Sequence, residues 1–279
     1  MSAVAIRVEE LRKSYGSYEA LRGVSFQIET GEVFGLLGPN GAGKTTTVEI
    51  LEGYRRPDGG TVSVLGQNPQ HAGRDWRERI GVVLQSSSLY PNLTVRESLA
   101  LFAGYYSQPR SVDEVIELVG LEEKRGGRVR TLSGGQKRRL DLGLALVGDP
   151  ELIFLDEPTT GFDPSARRTA WETIRGLRQL GKTVLLTTHY LDEAAQLADR
   201  VAVMREGRIV SVGSPAELTA TRTEAEIRYS RNGEQMVVRT EEPTRVLSEL
   251  YAREGELVGL EVRRTTLEEI YLALTEGEE

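Results

Sequence analysis

The stretch Gly38-Pro-Asn-Gly-Ala-Gly-Lys-Thr45 restricts what this chain can fold into more than any other. Its spacing is G-x-x-x-x-G-K-[ST]. The apolar segment Val33-Phe-Gly-Leu-Leu37 precedes it, and Thr46 to Glu52 reads as the opening turns of a helix. A buried strand, a tight glycine-rich turn and a helix N-terminus are therefore expected in that order. Glycines at 38, 41 and 43 let the backbone turn N–H groups inward without Cβ clashes, and the helix start adds partial positive charge at the same point. Gly38, Pro39, Asn40, Gly41, Ala42, Gly43, Lys44, Thr45 and Thr46 thus form a candidate phosphate cradle. Lys44 is placed to reach the β- and γ-phosphates, and the Thr45 hydroxyl to ligate Mg2+.

Bulk properties narrow the class. The 279 residues suffice for one large domain and a small one, and 39% hydrophobic with 28% charged residues fits a globular chain with a sizeable core. No apolar run approaches the ~18–20 residues needed to span a bilayer. The N-terminus reads directly into a strand and lacks a signal-peptide layout. With no cysteine, disulfides and zinc-ribbon sites are excluded, and a cytoplasmic setting is expected. A net charge of −7 argues against a nucleic-acid partner.

Along the chain, residues 4–10 and 24–28 alternate as half-exposed antiparallel strands do, with a turn-like stretch at 13–18 between them. Strands are expected at 61–65 and 79–84, and helical spacing runs from Thr94 to Gly148. Strand patterns return at 151–155 and 183–188, separated by a helix at 164–180. A hairpin-like pair at 200–204 and 208–212 follows, and Ser214-Pro215 starts a short helix. Apolar strands that alternate with helices and end on polar residues indicate an α/β sheet, with its ligand at the carboxyl ends of the strands. After about Thr219 the pattern becomes β-β-α-β-α, with exposed-edge strands at 224–229 and 235–239 and an amphipathic helix at 266–274.

Two further stretches carry chemistry. Leu152-Ile-Phe-Leu-Asp-Glu157 is an apolar strand ending in two carboxylates. Asp156 is placed to hold Mg2+, and Glu157 to position or deprotonate a water attacking the γ-phosphate. Leu132-Ser-Gly-Gly-Gln136 opens a helix with Ser133 as its N-cap, a second anion-binding terminus in a chain with one phosphate cradle. The second surface then serves the nucleotide of another molecule.

These three stretches, with Asp156-Glu-Pro-Thr-Thr-Gly-Phe-Asp163, resemble the ATP-binding cassette (ABC) ATPases over about residues 1–219. The resemblance implies a P-loop NTPase fold: a RecA-like α/β core with an antiparallel β subdomain and an inserted helical subdomain at about 86–150. A small α+β accessory domain would occupy 220–279. Two copies would close head to tail on two ATP molecules, each site pairing the P-loop of one copy with Ser133, Gly134, Gly135 and Gln136 of the other. Gln85 matches the glutamine that contacts Mg2+ and the attacking water, and His189 the histidine that touches the γ-phosphate. Asp163 matches the aspartate linking the two sites, although Phe162 stands where the family more often has Leu. Tyr15 matches the aromatic that stacks on adenine, with Tyr18 as a nearby competitor. With Lys44, Gln85, Asp156, Glu157 and His189 all present, an active ATPase is expected.

A transporter role requires a separate polytopic membrane permease, which would hold the chain on the inner face of the cell membrane. Ser88-Leu-Tyr-Pro-Asn-Leu-Thr-Val95 and Thr266-Leu-Glu-Glu-Ile-Tyr-Leu-Ala-Leu274 are similar to stretches of bacterial drug and antibiotic exporter subunits. Importer subunits and soluble ABC ATPases acting on ribosomes or nucleic acid are the alternatives.

Overall fold

The computed structural model describes residues 3–84, 89–220, 225–231 and 234–264. It divides into two compact units, Met1–Val212 and Gly213–Glu279.

In the first unit, β1 (Val4–Tyr15) and β2 (Tyr18–Glu29) form a long antiparallel hairpin. Both strands exceed the 4–10 and 24–28 expected, and the turn shrinks from 13–18 to Gly16 and Ser17. Register shifts between Val8 and Leu11 and between Lys13 and Ser14 break the alternation, so the second half of the hairpin does not read as strand. β4 (Gly59–Val64) pairs with the other edge of β1, giving the order β2-β1-β4.

The second sheet of this unit comprises β3 (Val33–Leu37), β5 (Ile80–Val83), β6 (Leu152–Asp156), β7 (Thr183–Thr188), β8 (Arg200–Arg205) and β9 (Arg208–Gly213) in the order β5-β6-β7-β3-β8-β9. The β5-β6-β7-β3-β8 pairings are parallel. Its central strands are buried on both faces, as parallel strands covered on both sides must be. Phe34, Leu36, Leu152, Phe154 and Leu185 face a core shared with the antiparallel sheet, with α1 (Lys44–Leu51) and with Trp76 of α2 (Arg74–Glu78). Val33, Ile153, Leu155, Val184 and Leu186 face a second core. That core is built with α3 (Val95–Ala103), α4 (Val112–Leu118), α5 (Gly134–Leu146), α6 (Pro164–Gln179) and α7 (Leu191–Leu197). Because β3, β6 and β7 run parallel, their carboxyl ends deliver Gly38, Asp156 and Thr188 to one edge.

The second unit opens on α8 (Pro215–Ala220), where Ser214 and Glu217 cap each other's backbone N–H groups. The sequence reading put the boundary slightly later, at 219/220. β10 (Ala225–Arg231), β11 (Glu234–Thr240) and β12 (Val258–Arg264) form an antiparallel sheet in the order β11-β10-β12. β10 is thus central, not the edge strand expected at 224–229: Ala225, Ile227 and Tyr229 are all buried. Ile227 and Tyr229 pack with Leu257 and with Leu250 of α9 (Pro243–Glu254). The stretch 266–274 lies outside the described residues.

Candidate functional site

The P-loop follows β3 as its sequence requires. Gly41 and Gly43 adopt left-handed φ values of 82° and 104°, and Gly43 sits at the N-cap of α1. At Gly38 a Cβ would come within 2.5 Å of the Met204 carbonyl oxygen, so the backbone passes too close to β8 for any side chain. Lys44 is 5% exposed, and its Nζ donates to the carbonyl oxygens of Gly38 (2.7 Å) and Pro39 (3.2 Å) inside the loop. Burial pulls its ammonium below its usual pKa, and the charges of Glu157 and Asp156 oppose that shift.

Glu157 follows β6 with a left-handed φ of 45°, unusual for a side chain of this kind. Its Oε1 lies 3.8 Å from Lys44 Nζ and 3.4 Å from His189 Nδ1, and its Oε2 accepts from the Thr160 hydroxyl at 3.0 Å. His189 Nδ1 is buried and makes no hydrogen bond, so its alignment with Glu157 is off a bonding direction. Asp156 is buried, and its Oδ1 accepts a 2.5 Å hydrogen bond from Thr187. Burial pushes its carboxyl up; the Thr187 bond opposes this, and the Glu157 charge adds to it.

Tyr15, Tyr18, Gly41, Gly43, Lys44, Thr45, Thr46, Glu157, Thr160 and His189 line one cleft of about 600 Å3, together with Ala20 and Asn40. Ala42 is buried behind it. Tyr15 and Tyr18 face each other across the hairpin end and are 40% and 54% exposed. Arg55 stacks 5.1 Å from the Tyr15 ring centroid, while the Tyr18 hydroxyl donates to the Gly41 carbonyl at 3.2 Å. Both tyrosines therefore belong to this cleft. Gln85 lies outside the described residues.

Ser133, Gly134, Gly135 and Asp163 line a different depression, which shares only Glu157 and Thr160 with the first. Ser133 caps α5 in a capping box: its Oγ accepts from Gln136 N–H at 3.2 Å, and Gln136 Oε1 accepts from Ser133 N–H at 2.9 Å. Asp163 caps α6, its Oδ1 accepting from the backbone of Ser165 and Ala166 at 2.9 Å each. The Asp-Pro step at 163–164 is a sequence signal for that cap. Thr187 and Thr160, which orient the two carboxylates, carry no local signal and were not among the expected site residues.

Among the described residues no group of three or more His, Asp or Glu is placed to hold a metal by itself. The donors present, the Thr45 hydroxyl and a buried Asp156 carboxylate crowded by Glu157, instead suit Mg2+, which takes one or two protein oxygens and completes its shell with phosphate and water. The cleft thus gathers the P-loop backbone, the Lys44 ammonium, two aromatic rings and the Glu157 carboxylate around one volume, a donor set suited to a polyphosphate.

Comparison with known proteins agrees with this chemistry. Residues 21–160 match the family described as ABC transporter. The chain is 46% identical to the Nod factor export ATP-binding protein I of Paraburkholderia xenovorans (strain LB400), over 79% of this chain and 74% of that protein. The same-named protein of Rhizobium sp. (strain N33) is 40% identical over 99% and 98%. Among solved structures, cbiO1 from Clostridium perfringens, part of the ABC transporter complex cbiONQ, covers 90% of this chain and 96% of its own at 27% identity and a TM-score of 0.71. An ATP-binding cassette solved as a dimer in a post-hydrolysis state with ADP and Pi covers 75% and 98% at 26% identity and a TM-score of 0.67. A matching family over half the chain, a relative aligned end to end and a cleft built for a nucleoside triphosphate lead to one conclusion: the chain belongs to the ABC transporter family as an ATP-binding subunit, and it is an ATPase.

Proposed function

We propose that two copies close head to tail, and that each hydrolyses ATP in a composite site to drive export through a separate polytopic membrane subunit. In each site the P-loop of one copy, Gly38 to Thr46, holds the phosphates, and Ser133, Gly134, Gly135 and Gln136 of the other close over the γ-phosphate. Tyr15 stacks on the adenine. Thr45, Asp156 and Gln85 would hold Mg2+, which would neutralise phosphate charge. Glu157 takes the proton of a water attacking the γ-phosphorus as the bond to the ADP oxygen breaks, and His189 and Lys44 stabilise the transferred group. Asp163 links the two sites.

The observation that carries this reading is the separation of the two depressions. The signature residues Ser133, Gly134 and Gly135 line none of the phosphate cleft of their own chain. A capped helix terminus left beside an incomplete site suits a nucleotide bound to a second copy. No helix among the described residues is long and apolar enough to cross a membrane, and in this reading a membrane partner supplies the path. That partner would hold the chain at the inner face of the cell membrane, and no nucleic acid is involved. The export proteins named above support the outward direction, and the similarity of the 88–95 and 266–274 stretches to those of drug exporter subunits supports a drug-like or other small hydrophobic cargo.

The test is co-purification of tagged Glu157→Gln protein from detergent-solubilised host membranes with ATP. A polytopic membrane protein retained with ATP and lost without it is the expected result. Ribosomal or DNA-bound proteins with no membrane partner would overturn the transport reading and leave the ATPase.

A further inference from the structure

Among the described residues, the Arg138 guanidinium, one turn inside α5, donates to three separate backbone carbonyls. Nη2 donates to Asp156 O at 3.1 Å, Nε donates to Pro158 O at 3.2 Å, and Nη1 donates to Leu84 O. Asp156 and Pro158 are the two neighbours of Glu157, so one side chain grips the peptide unit that enters Glu157 and the one that leaves Pro158. Between them Glu157 is held at φ 45°, a conformation that persists only where its surroundings enforce it. Leu84 immediately precedes Gln85. Arg138 is half-buried, and its planar fork is what allows three divergent carbonyls to be reached at once. Glu193, fully buried on α7, lies within electrostatic reach of it and accepts at Oε1 from the Thr159 hydroxyl (2.7 Å) and Trp171 Nε1 (3.2 Å).

We infer that Arg138 is a positioning residue for ATP hydrolysis: it locks the helix that carries Ser133 and Gln136 to the backbone on both sides of Glu157. Closure of the signature helix on a second copy's nucleotide is thereby transmitted to the aim of the chain's own Glu157 carboxylate. The inference rests on the role proposed above for Glu157 and on the head-to-tail dimer. Arg138 lines the signature depression but not the phosphate cleft, so its effect belongs on turnover and not on nucleotide affinity.

The test compares Arg138→Met and Arg138→Lys with the parent full-length protein. Lysine keeps the charge and the stem, but its single nitrogen cannot span the three carbonyls. Both variants are expected to bind a fluorescent ATP analogue within about twofold of the parent and to lose at least about tenfold in kcat, since small misplacement of a reacting group is enough for that loss. In a Glu157→Gln background, Arg138→Met is expected to add no further loss in single-turnover rate, because it acts through Glu157. Parent-like kcat in either variant, full rescue by lysine, a loss that adds to that of Glu157→Gln, or loss of ATP binding in both variants would each overturn the inference. Normal turnover by Glu157→Gln alone would instead remove the role of Glu157, a failure visible without any Arg138 variant, and the inference would fall with it.

Discussion

Thr187 and Asp156 sit opposite each other in the β6–β7 ladder, and the Thr187 hydroxyl donates to Asp156 Oδ1 at 2.5 Å while accepting the Glu157 N–H at 3.0 Å. One hydroxyl therefore aims the carboxylate that suits Mg2+ and fixes the first peptide of the strained turn after it. Thr187→Val keeps the shape and removes both bonds, leaving a buried carboxylate oxygen and a buried N–H unpaired. A loss of about 1–3 kcal/mol in unfolding free energy is expected, with kcat falling at least about tenfold. Urea denaturation and steady-state ATPase assays check the two parts, and Thr187→Ser should recover most of both.

The glycines of the P-loop differ in what they tolerate. At Gly43 a Cβ would meet Leu21 Cδ2 at 2.7 Å and Ala20 O at 2.8 Å, on top of a φ of 104°. Gly41 has a similar φ of 82° but nothing within 4 Å of a Cβ. Gly41→Ala is expected to cost about 1–2 kcal/mol from backbone conformation alone, and Gly43→Ala distinctly more because a clash with backbone is added. Equal urea midpoints for the two variants would contradict this.

Glu52, at the C-cap of α1, has its carboxyl pushed up to about 8 by burial, with the charges of Asp156 and Glu49 adding to the effect. In the folded protein it holds a proton that the unfolded chain, near 4.5, has already released. The native state then binds more protons than the unfolded one, so stability is full at low pH and falls as pH rises from 4.5 towards 8. Glu52→Gln should remove this component, stabilising the nucleotide-free protein by on the order of 5 kcal/mol at pH 8 and by little at pH 5. Thermal melts of parent and variant across that range measure it; parallel curves would sink the assignment.

The legible parts of the fold and site are those written in contiguous residues. The P-loop, the Ser133 cap and the strand ending in Asp156 each combine a local pattern with a local structure, so spacing alone places them. Legibility failed where distant segments decide. The β1–β2 hairpin runs on to Tyr15 and Tyr18 because its pairing tolerates bulges, and bulges erase the alternation by which strands are read. β10 is central because partners on both sides cover it, although its alternating polar residues look like an edge. Thr187 and Arg138 take their importance from carbonyls and carboxylates 18 to 54 positions away in the chain. No single-chain pattern carries that information.

The most direct test of the account is Glu157→Gln, assayed for ATP turnover and, by light scattering, for mass with and without ATP. The substitution keeps the shape of the side chain and removes the carboxylate proposed to accept the proton from water. The predicted result is turnover at least about 10²-fold slower, with a stable dimer in ATP that returns to monomer in ADP. Turnover at the parent rate, or a mass that does not respond to ATP while ATP is bound, would contradict it.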